Sequence, residues 1–470
     1  MWAGRLRVTI DILPDDVLLL IFHFHRISHQ RLHPGINWEW HRLVHVCLRW
    51  RSVIFTSPNF LNLRIVCGPW TRVGLTGIWP PLPIIIRDGV NDRFLPEYDL
   101  NTAIVHYSRV REINLLNLIS LQLQRLALAM REQFPALIHL TLHFADYDRR
   151  LALDLPNEFL GGSAPRLQSL ELTSVSFPAL PKLLLSATEL VRLTLWNIPH
   201  SGYVSPEAIT TGLAVLANLE SLTLEFMSPL SRPNRATRRP PPPTRKVLPA
   251  LTRFRFRGAS EYLEDLVARI DAPFLDSICI TFFHQLIFDI PQLAQFMGRT
   301  TRFQALNEAH VEFTYPVVQV GYLPQIRTFD ETSGLRLSCR GLDWQLSFLA
   351  QVCTSFFPSI YMVEQLYIYE PRYLPSQWQD ETENMQWLEM FHPFTSVKDL
   401  FVCEGLAPSI APALQELVGG RRTEVLPILQ NIYLEGLDPS EPLQEGIGKF
   451  VAARQLSGHP ITVSRWENSL

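Results

Sequence analysis

Three histidines near the N-terminus, His25, His29 and His33, recur at every fourth position. On a helix this spacing places them along one face, where imidazoles could ligate a metal ion. The run contains no Asp, Glu or Cys that would complete a ligand set, and Pro34 adjoins it. We therefore expect neither a metal nor another cofactor here.

Other residues with catalytic spacing also lack their partners. His41 and His45 have the separation of an HExxH motif, but an arginine occupies the position of the glutamate base. Ser163, in "GGSAP", lacks the GxSxG elbow, and "EGIGKF" lacks the length and the hydroxyl residue of a phosphate-binding loop. We therefore expect a non-catalytic chain.

The composition is that of a globular protein that is too long for one ordinary core. The chain has 470 residues, of which 47% are hydrophobic and 19% charged, and its formal net charge is -3. These values favour several domains or a repeat array and give no reason to expect a nucleic-acid partner. The six cysteines form no CxxC pair, which predicts reduced thiols in the cytoplasm or nucleus. We expect no secretory signal and no membrane span.

The elements that could position functional residues begin with a helix after Pro14. Asp15 and Asp16 occupy its first turn, where the helix dipole favours negative charge. One apolar stripe comprises Leu13, Val17, Leu20, Ile21 and Phe24. Leu18, Leu19 and Phe22 form a second apolar surface. We predict that this second surface is exposed in the free chain and binds a partner protein.

A single second helix is predicted in "WEWHRLVHVCLRWRSVIF", ended by Pro58. It also has two apolar faces, so two helices cannot bury all of this surface against each other. Residues 8–66 are therefore predicted to form a small helical module whose surplus apolar surface is buried by the rest of the chain or by a separate protein.

This module resembles an F-box, in the form common in the large F-box families of mushroom-forming fungi. The resemblance rests on "LPDDVLLLIFHF" and on "WEWHRLVHVCLRWRSVIFTSPNFLNLRIVC". It implies docking onto the Skp adaptor of an SCF-type ubiquitin ligase, and through the adaptor onto a cullin. The adaptor-binding residues implied are Leu13, Pro14, Val17, Leu18, Leu19, Ile21, Phe22, Val46, Cys47, Trp50 and Arg51. The His-rich connector between the helices is longer than in a minimal F-box.

The rest of the chain repeats an LxxLxL frame at intervals of about 23 to 34 residues. Clear examples are "LQSLELTSVSF", "LVRLTLWNI" and "LESLTLEF". Two degenerate repeats, here called worn repeats, are predicted in "HVEFTYP" and "GLRLSCRGL". The spacing is typical of leucine-rich repeats, in which a short strand alternates with a helix or turn. A generic α/β domain with coincidental leucine spacing is the alternative.

The predicted fold is therefore α/β, with a small helical F-box followed by an irregular leucine-rich-repeat solenoid whose parallel sheet lines the concave face. Residues 67–104 form a connector and N-terminal cap, and residues 105–470 form the repeat domain. The Pro- and Arg-rich stretch 231–246 is predicted to be an extended or disordered loop. "FVAARQLSGHPITVSRWENSL" is predicted to close the array with a helix and a strand.

Strand alternation predicts a target-binding surface, because the residues between the leucines face away from the core. On this surface we place Arg253, Arg255, Arg257, Tyr367, Tyr369, Phe401 and Tyr433. Arginines bind carboxylates and phosphates in a bidentate manner, so the expected target is acidic or phosphorylated. Alternatively, Glu225 on the preceding repeat pairs with one arginine and the others are solvated.

The sequence as a whole predicts the substrate receptor of an SCF-type ubiquitin ligase, with an unknown target protein. A non-catalytic leucine-rich-repeat scaffold or inhibitor without a ligase role is the first alternative. A hydrolase hidden in residues 281–365 is a weaker one, since no local catalytic signature supports it.

Overall fold

A computed structural model of the 470-residue chain gives its fold. The structure describes residues 10–32, 39–58, 60–67, 82–88, 103–144, 153–233, 242, 244–283, 290–300, 308–314, 317–321, 334–340, 360–369, 383–417, 425–436 and 445–466. The chain forms two compact units, Met1–Val175 and Ser176–Leu470. The predicted boundary near residue 66 stays a prediction.

The α-helices are α1 (Asp15–Leu32), α2 (Glu39–Val44), α3 (Leu48–Thr56), α4 (Ser120–Ala129), α5 (Leu180–Leu184), α6 (Pro206–Leu213), α7 (Ser260–Val267), α8 (Pro291–Gly298), α9 (Glu383–Phe391), α10 (Ala407–Glu416) and α11 (Glu445–Leu456). Short 3-10 turns lie at Ile10–Ile12, Tyr107–Arg109, Phe159–Gly162, His200–Gly202 and Ile360–Met362.

The strands are β1 (Ile65–Cys67), β2 (Ile84–Arg87), β3 (Val110–Leu118), β4 (His139–Phe144), β5 (Leu153–Asp154), β6 (Ser169–Thr173), β7 (Val175–Ser176), β8 (Arg192–Ile198), β9 (Ser221–Phe226), β10 (Lys246–Val247), β11 (Arg253–Gly258), β12 (Ile270–Asp271), β13 (Ser277–Phe282), β14 (Glu308–Thr314), β15 (Val317–Gly321), β16 (Gly334–Arg340), β17 (Gln365–Tyr369), β18 (Asp399–Val402), β19 (Asn431–Glu435) and β20 (Thr462–Trp466).

The first unit joins a helical module to a parallel sheet. Helices α1, α2 and α3 pack together, and strands β1, β2, β3, β4 and β6 follow in parallel order. The second predicted helix is broken into α2 and α3, which corrects the single helix expected from the sequence. Cys47 adopts an extended backbone at the break, and its Sγ accepts a hydrogen bond from the Trp50 backbone N–H, capping α3.

The second unit contains a larger sheet in the order β8-β9-β11-β13-β16-β15-β14-β17-β18-β19-β20. Its strands are parallel except for β15, which runs antiparallel to both of its neighbours. The two worn repeats do form strands, β14 and β16, but they enter the sheet in reversed order because β15 folds the chain back between them. This reversal corrects the simple succession of repeats predicted from the sequence.

The leucine frames lie on the strands of both sheets, as predicted. Leu170, Leu193 and Leu222 are completely buried, whereas Glu171 and Thr194, which follow two of these leucines on the strands, are partly accessible. The predicted closing elements are confirmed as α11 and β20. The architecture is therefore mixed α/β with a large, mainly parallel sheet, as expected for a leucine-rich-repeat arrangement. Most of the predicted 231–246 loop, residues 234–241 and 243, lies outside the described residues.

Candidate functional site

The first candidate surface lies on the helical module, where α1 buries two residues of the face that was predicted to stay exposed. Leu18 is 0% exposed and Phe22 is 2% exposed. The Phe22 ring packs against Trp50 of α3, with 4.8 Å between ring centroids. The prediction that these two side chains stay accessible for an adaptor is therefore wrong. The physical reason is the broken second helix, which places α2 and α3 separately against α1 and covers this face within the chain.

The other apolar stripe of α1 is largely exposed. Leu20, Ile21 and Phe24 are accessible, with Phe24 64% exposed. Ile10 and Ile12, in the turn before α1, are exposed as well. An apolar surface that needs cover is therefore present, but it is formed by the other stripe of the helix.

More apolar surface lies at the beginning of α3. Val46 is exposed and Leu48 is 79% exposed. The adjacent Arg49 fixes this position, since its Nη2 lies 2.7 Å from Asp15 Oδ1 and also donates to the Leu13 carbonyl. Arg49, the residue after Leu48, thereby joins the beginning of α3 to the residues on either side of the exposed Pro14.

The other residues implied by the resemblance occupy the periphery of this surface. Leu13, Val17, Leu19, Cys47 and Trp50 are half-buried. Arg51 is exposed, and its Nε donates to the Val44 carbonyl at 3.0 Å. We call the exposed set Ile12, Pro14, Leu20, Ile21, Phe24, Val46 and Leu48 the module surface.

The second candidate surface is the sheet face of the second unit that carries the residues between the buried leucines, here called the open face. On β11, Arg253 is exposed and Arg255 and Arg257 are half-buried. The parallel register places Arg253 between Ser221 and Ser277 on the adjacent strands. The three predicted arginines therefore share one face.

Two of these arginines have partners within the sheet. Arg257 lies 3.5 Å from Glu225, and these side chains are 19% and 12% exposed. This is the ion pair that the sequence raised as an alternative. The Arg255 guanidinium lies 5.7 Å from the Trp196 ring centroid, a cation–π arrangement. Arg253 is thus the most accessible cation of the row.

The predicted aromatic residues form a stacked ladder. Tyr367 and Phe401 have ring centroids 4.1 Å apart, and Phe401 and Tyr433 have centroids 4.4 Å apart, each with an interplanar angle of 9°. The ladder follows from register, because these residues are aligned across β17, β18 and β19. The side chain of Tyr369, the fourth predicted aromatic residue, lies outside the described residues.

The sequence reasoning missed Trp466, which lies across the ladder. Its indole makes angles of 61° with Tyr367 and 70° with Phe401, with centroids 6.0 and 5.6 Å away. The signal was present in "TVSRW", a segment that was predicted to be a strand. Thr462, Ser464 and Trp466 are every second residue of this strand and therefore lie on the same side of it. An indole that crosses the ladder offers a broad aromatic surface.

A polar row runs beside the ladder and is also hydrogen-bonded. Asn431 Nδ2 donates to Asp399 Oδ1 at 2.7 Å, and Gln365 Nε2 donates to Asp399 Oδ2 at 3.5 Å. Tyr367 in turn donates its hydroxyl proton to Gln365 Oε1 at 3.3 Å. This network holds a carboxylate beside the aromatic rings.

Within the described part of the chain, no cluster of three or more His, Cys, Asp or Glu side chains could hold a metal ion. No helix among the described residues is long and apolar enough to cross a membrane.

Comparison with known proteins gives a distant structural likeness. No protein-family model matches the chain, and no curated protein sequence is significantly similar to it. Among solved structures, the leucine-rich-repeat-containing protein LegL7 from Legionella pneumophila is similar at 12% identity and a TM-score of 0.25. The match covers 84% of this chain and 98% of that one. So distant a likeness says nothing about function, and the fold described above rests on the strands and helices of the chain itself.

Proposed function

We propose that this chain is a substrate-recognition subunit of an SCF-type ubiquitin ligase. The module surface binds a Skp-type adaptor, and through it a cullin, while the open face of the repeat sheet binds the target protein. The chain itself is non-catalytic, and the chemistry of ubiquitin transfer belongs to other subunits. The protein acts in the cytoplasm or nucleus, where such ligases operate.

The observation that carries this proposal is the module surface. Seven residues of the first 48, six apolar side chains and one proline, are accessible on α1, at the beginning of α3 and in the segments that precede these two helices. Full burial of a side chain such as Leu48 or Phe24 stabilises a complex by roughly 1.5–3 kcal/mol. Clustered apolar exposure of this kind is typical of a protein-binding surface.

The segments "LPDDVLLLIFHF" and "VCLRWR" resemble the F-box. This resemblance indicates which kind of protein would bind the module surface. Its leading Leu-Pro lies at the junction that Arg49 holds together through Leu13 and Asp15. The Skp-type adaptor is therefore the specific partner to test.

The test is co-purification of the full chain with a Skp-type adaptor expressed in the same cells. The wild-type chain should bring down the adaptor in a one-to-one ratio. Ile21→Asp and Leu48→Asp should abolish this while the circular dichroism spectrum and unfolding midpoint stay unchanged. Leu128→Asp, at an exposed apolar residue of α4 outside the module, is the matched control and should retain the adaptor.

Retention of the adaptor by both module variants would show that the module surface is assigned wrongly. Absence of any adaptor with the wild-type chain would favour a repeat scaffold or inhibitor without a ligase role.

A further inference from the structure

The open face of the second unit divides into two halves of opposite charge. On strands β8, β9, β11, β13 and β16, the register places Arg192, Arg253, Arg255, Arg257, Arg336 and Arg340 at open-face positions. Small residues such as Ser221, Thr223, Ser277 and Thr281 lie between them. Among the strand residues described in this half, Glu225 is the one acid at an open-face position, and it is engaged by Arg257.

The other half, strands β14, β17, β18, β19 and β20, carries the opposite sign. The register places Glu308, Glu312, Asp399 and Glu435 at its open-face positions. No Lys or Arg occupies an open-face position on these five described strands. The intervening β15 contributes Val317, Gln319 and Gly321, which carry no charge.

The aromatic ladder lies in the acidic half, and the combination suits a cation. Lysine and arginine bind the face of an aromatic ring, and tryptophan is the strongest such partner. The Trp466 ring lies at a steep angle to the rings of Tyr367 and Phe401. Asp399 lies two residues before Phe401 in the sequence, on the same side of β18. Each Asp399 oxygen accepts one amide hydrogen bond, which leaves lone pairs for a further donor.

The spacing of the two halves sets the length of a ligand that spans them. Six inter-strand steps separate β11 from β18 in the sheet order. At about 4.8 Å per step, Arg253 and Asp399 lie at most about 29 Å apart across the sheet. An extended polypeptide covers that distance in about nine residues, at about 3.3 Å per residue.

We propose that the open face binds a polypeptide segment of matching charge polarity. An anionic group, either a carboxylate cluster or a phosphorylated side chain, meets Arg253 and its neighbours. A lysine or arginine about nine residues away along the segment meets Trp466 and Asp399. Complementary charge of this kind selects partners and fixes their register.

Charge complementarity favours a polypeptide over a nucleic acid. A nucleic acid has the same sign of charge along its whole length, so its phosphates would be repelled by the acidic half. A polypeptide can present both signs in one segment. This inference rests on the proposed target-binding role of the open face and does not depend on adaptor binding.

The experiment uses the purified full chain and fluorescent peptides. The reference peptide has three glutamates, nine Gly/Ser residues and two arginines. A second peptide carries phosphoserines in place of the glutamates, and others lack the acidic end, lack the basic end, or have a three-residue spacer. The reference or phosphoserine peptide should bind about tenfold more tightly than each truncated or short-spacer peptide. The ratio of the dissociation constants of the reference and phosphoserine peptides shows whether the chain prefers a carboxylate or a phosphate ligand.

Two variants locate the two ends. Arg253→Glu should weaken the reference peptide about tenfold and should restore binding to a peptide whose glutamates are replaced by lysines. Trp466→Ala should weaken only peptides that carry the basic end, and Trp466→Phe should recover most of the affinity.

Three results would overturn the proposal: no preference for the reference or phosphoserine peptide over the truncated ones, no effect of Arg253→Glu, or tighter binding of a single-stranded oligonucleotide. Co-purification of the Arg253→Glu variant with the adaptor distinguishes a failure of this peptide-binding proposal from a failure of the proposed ligase function. The variant keeps the adaptor if the module surface is right, whatever the peptides do.

Discussion

Glu264, in the middle of α7, caps the helix of the following repeat by accepting a hydrogen bond from the backbone N–H of Leu293. Its Oε1 lies 2.8 Å from this nitrogen, and its Oε2 lies 2.9 Å from the Gln292 nitrogen. The residue before α8, Ile290, has no side-chain cap hydrogen bond of its own. A buried carboxylate of one repeat thus replaces the missing local cap of the next and ties two repeats together.

Glu264→Ala should therefore lower the free energy of unfolding by about 1–3 kcal/mol, because two N–H groups at the start of α8 lose their acceptors. Glu264→Gln keeps one acceptor oxygen and should cost less. Chemical denaturation of the full chain measures both. Glu261→Ala, on the same helix but partly exposed and 4.0 Å from Arg232, is the control and should stay within about 0.5 kcal/mol. Equal effects of Glu261→Ala and Glu264→Ala would contradict the capping role.

Buried and exposed apolar side chains of the helical module should differ sharply in their contribution to stability. Phe22→Ala should destabilise the helical module by about 3–5 kcal/mol, because it leaves a cavity beside Trp50. Leu48→Ala should change stability by less than about 0.5 kcal/mol, because this side chain is exposed. Hydrogen exchange of the module amides separates the two outcomes. Fast exchange in Leu48→Ala with normal protection in Phe22→Ala would contradict the burial of Phe22 and the exposure of Leu48.

The buried leucines of the repeat frames should be the costliest residues of the sheets. Leu170→Ala and Leu222→Ala each remove a fully buried side chain, and we expect a loss of about 2–5 kcal/mol for each. Val247→Ala, at an exposed strand residue, is the matched control. Thermal unfolding followed by circular dichroism provides the measurement. Costs below about 0.5 kcal/mol at both leucines would be incompatible with their place in the core.

The sequence predicted the parts of the fold that depend on local alternation. The LxL frames place leucines such as Leu170 and Leu222 in the core, because successive strand residues point to opposite faces. The same rule placed the arginines of β11 and the aromatic ladder on one face, since parallel strands in register align equivalent positions.

What the sequence could not predict depends on long-range partners. Helix α1 has two apolar stripes, and the packing of α2 and α3 against it, which includes the Trp50 ring on Phe22, decides which one is buried. The reversed order of β14 and β16 depends on which strands they meet in space. Arg49 and Asp15, which join α3 to α1, are separated by 34 residues and no motif connects them.

A final prediction concerns Tyr262, whose ring is buried among Tyr203, Phe226 and Phe256. Its hydroxyl donates to the Val204 carbonyl at 2.9 Å. Burial raises the pKa of Tyr262 well above its ordinary value, and the nearby Tyr203 and Asp265 raise it further. Burial likewise raises the pKa of Tyr203 to about 12.

A raised pKa in the folded state means that the neutral phenol is favoured by folding. The stabilisation is therefore complete below the unfolded-state pKa of about 10 and is lost as the pH rises above it, by up to about 1.4 kcal/mol per pH unit for one group. Tyr262→Phe should lower the free energy of unfolding by about 1–2 kcal/mol at pH 7, because the Val204 carbonyl loses its donor. It should also make the decline between about pH 10 and 11 shallower, by up to about 1.4 kcal/mol per pH unit. Urea titrations at pH 7, 9, 10 and 11 measure both effects, with Tyr361→Phe at an exposed tyrosine as the control. An alkaline decline that is identical in wild type and Tyr262→Phe would show that this phenol is ionised as easily in the folded chain as in the unfolded one.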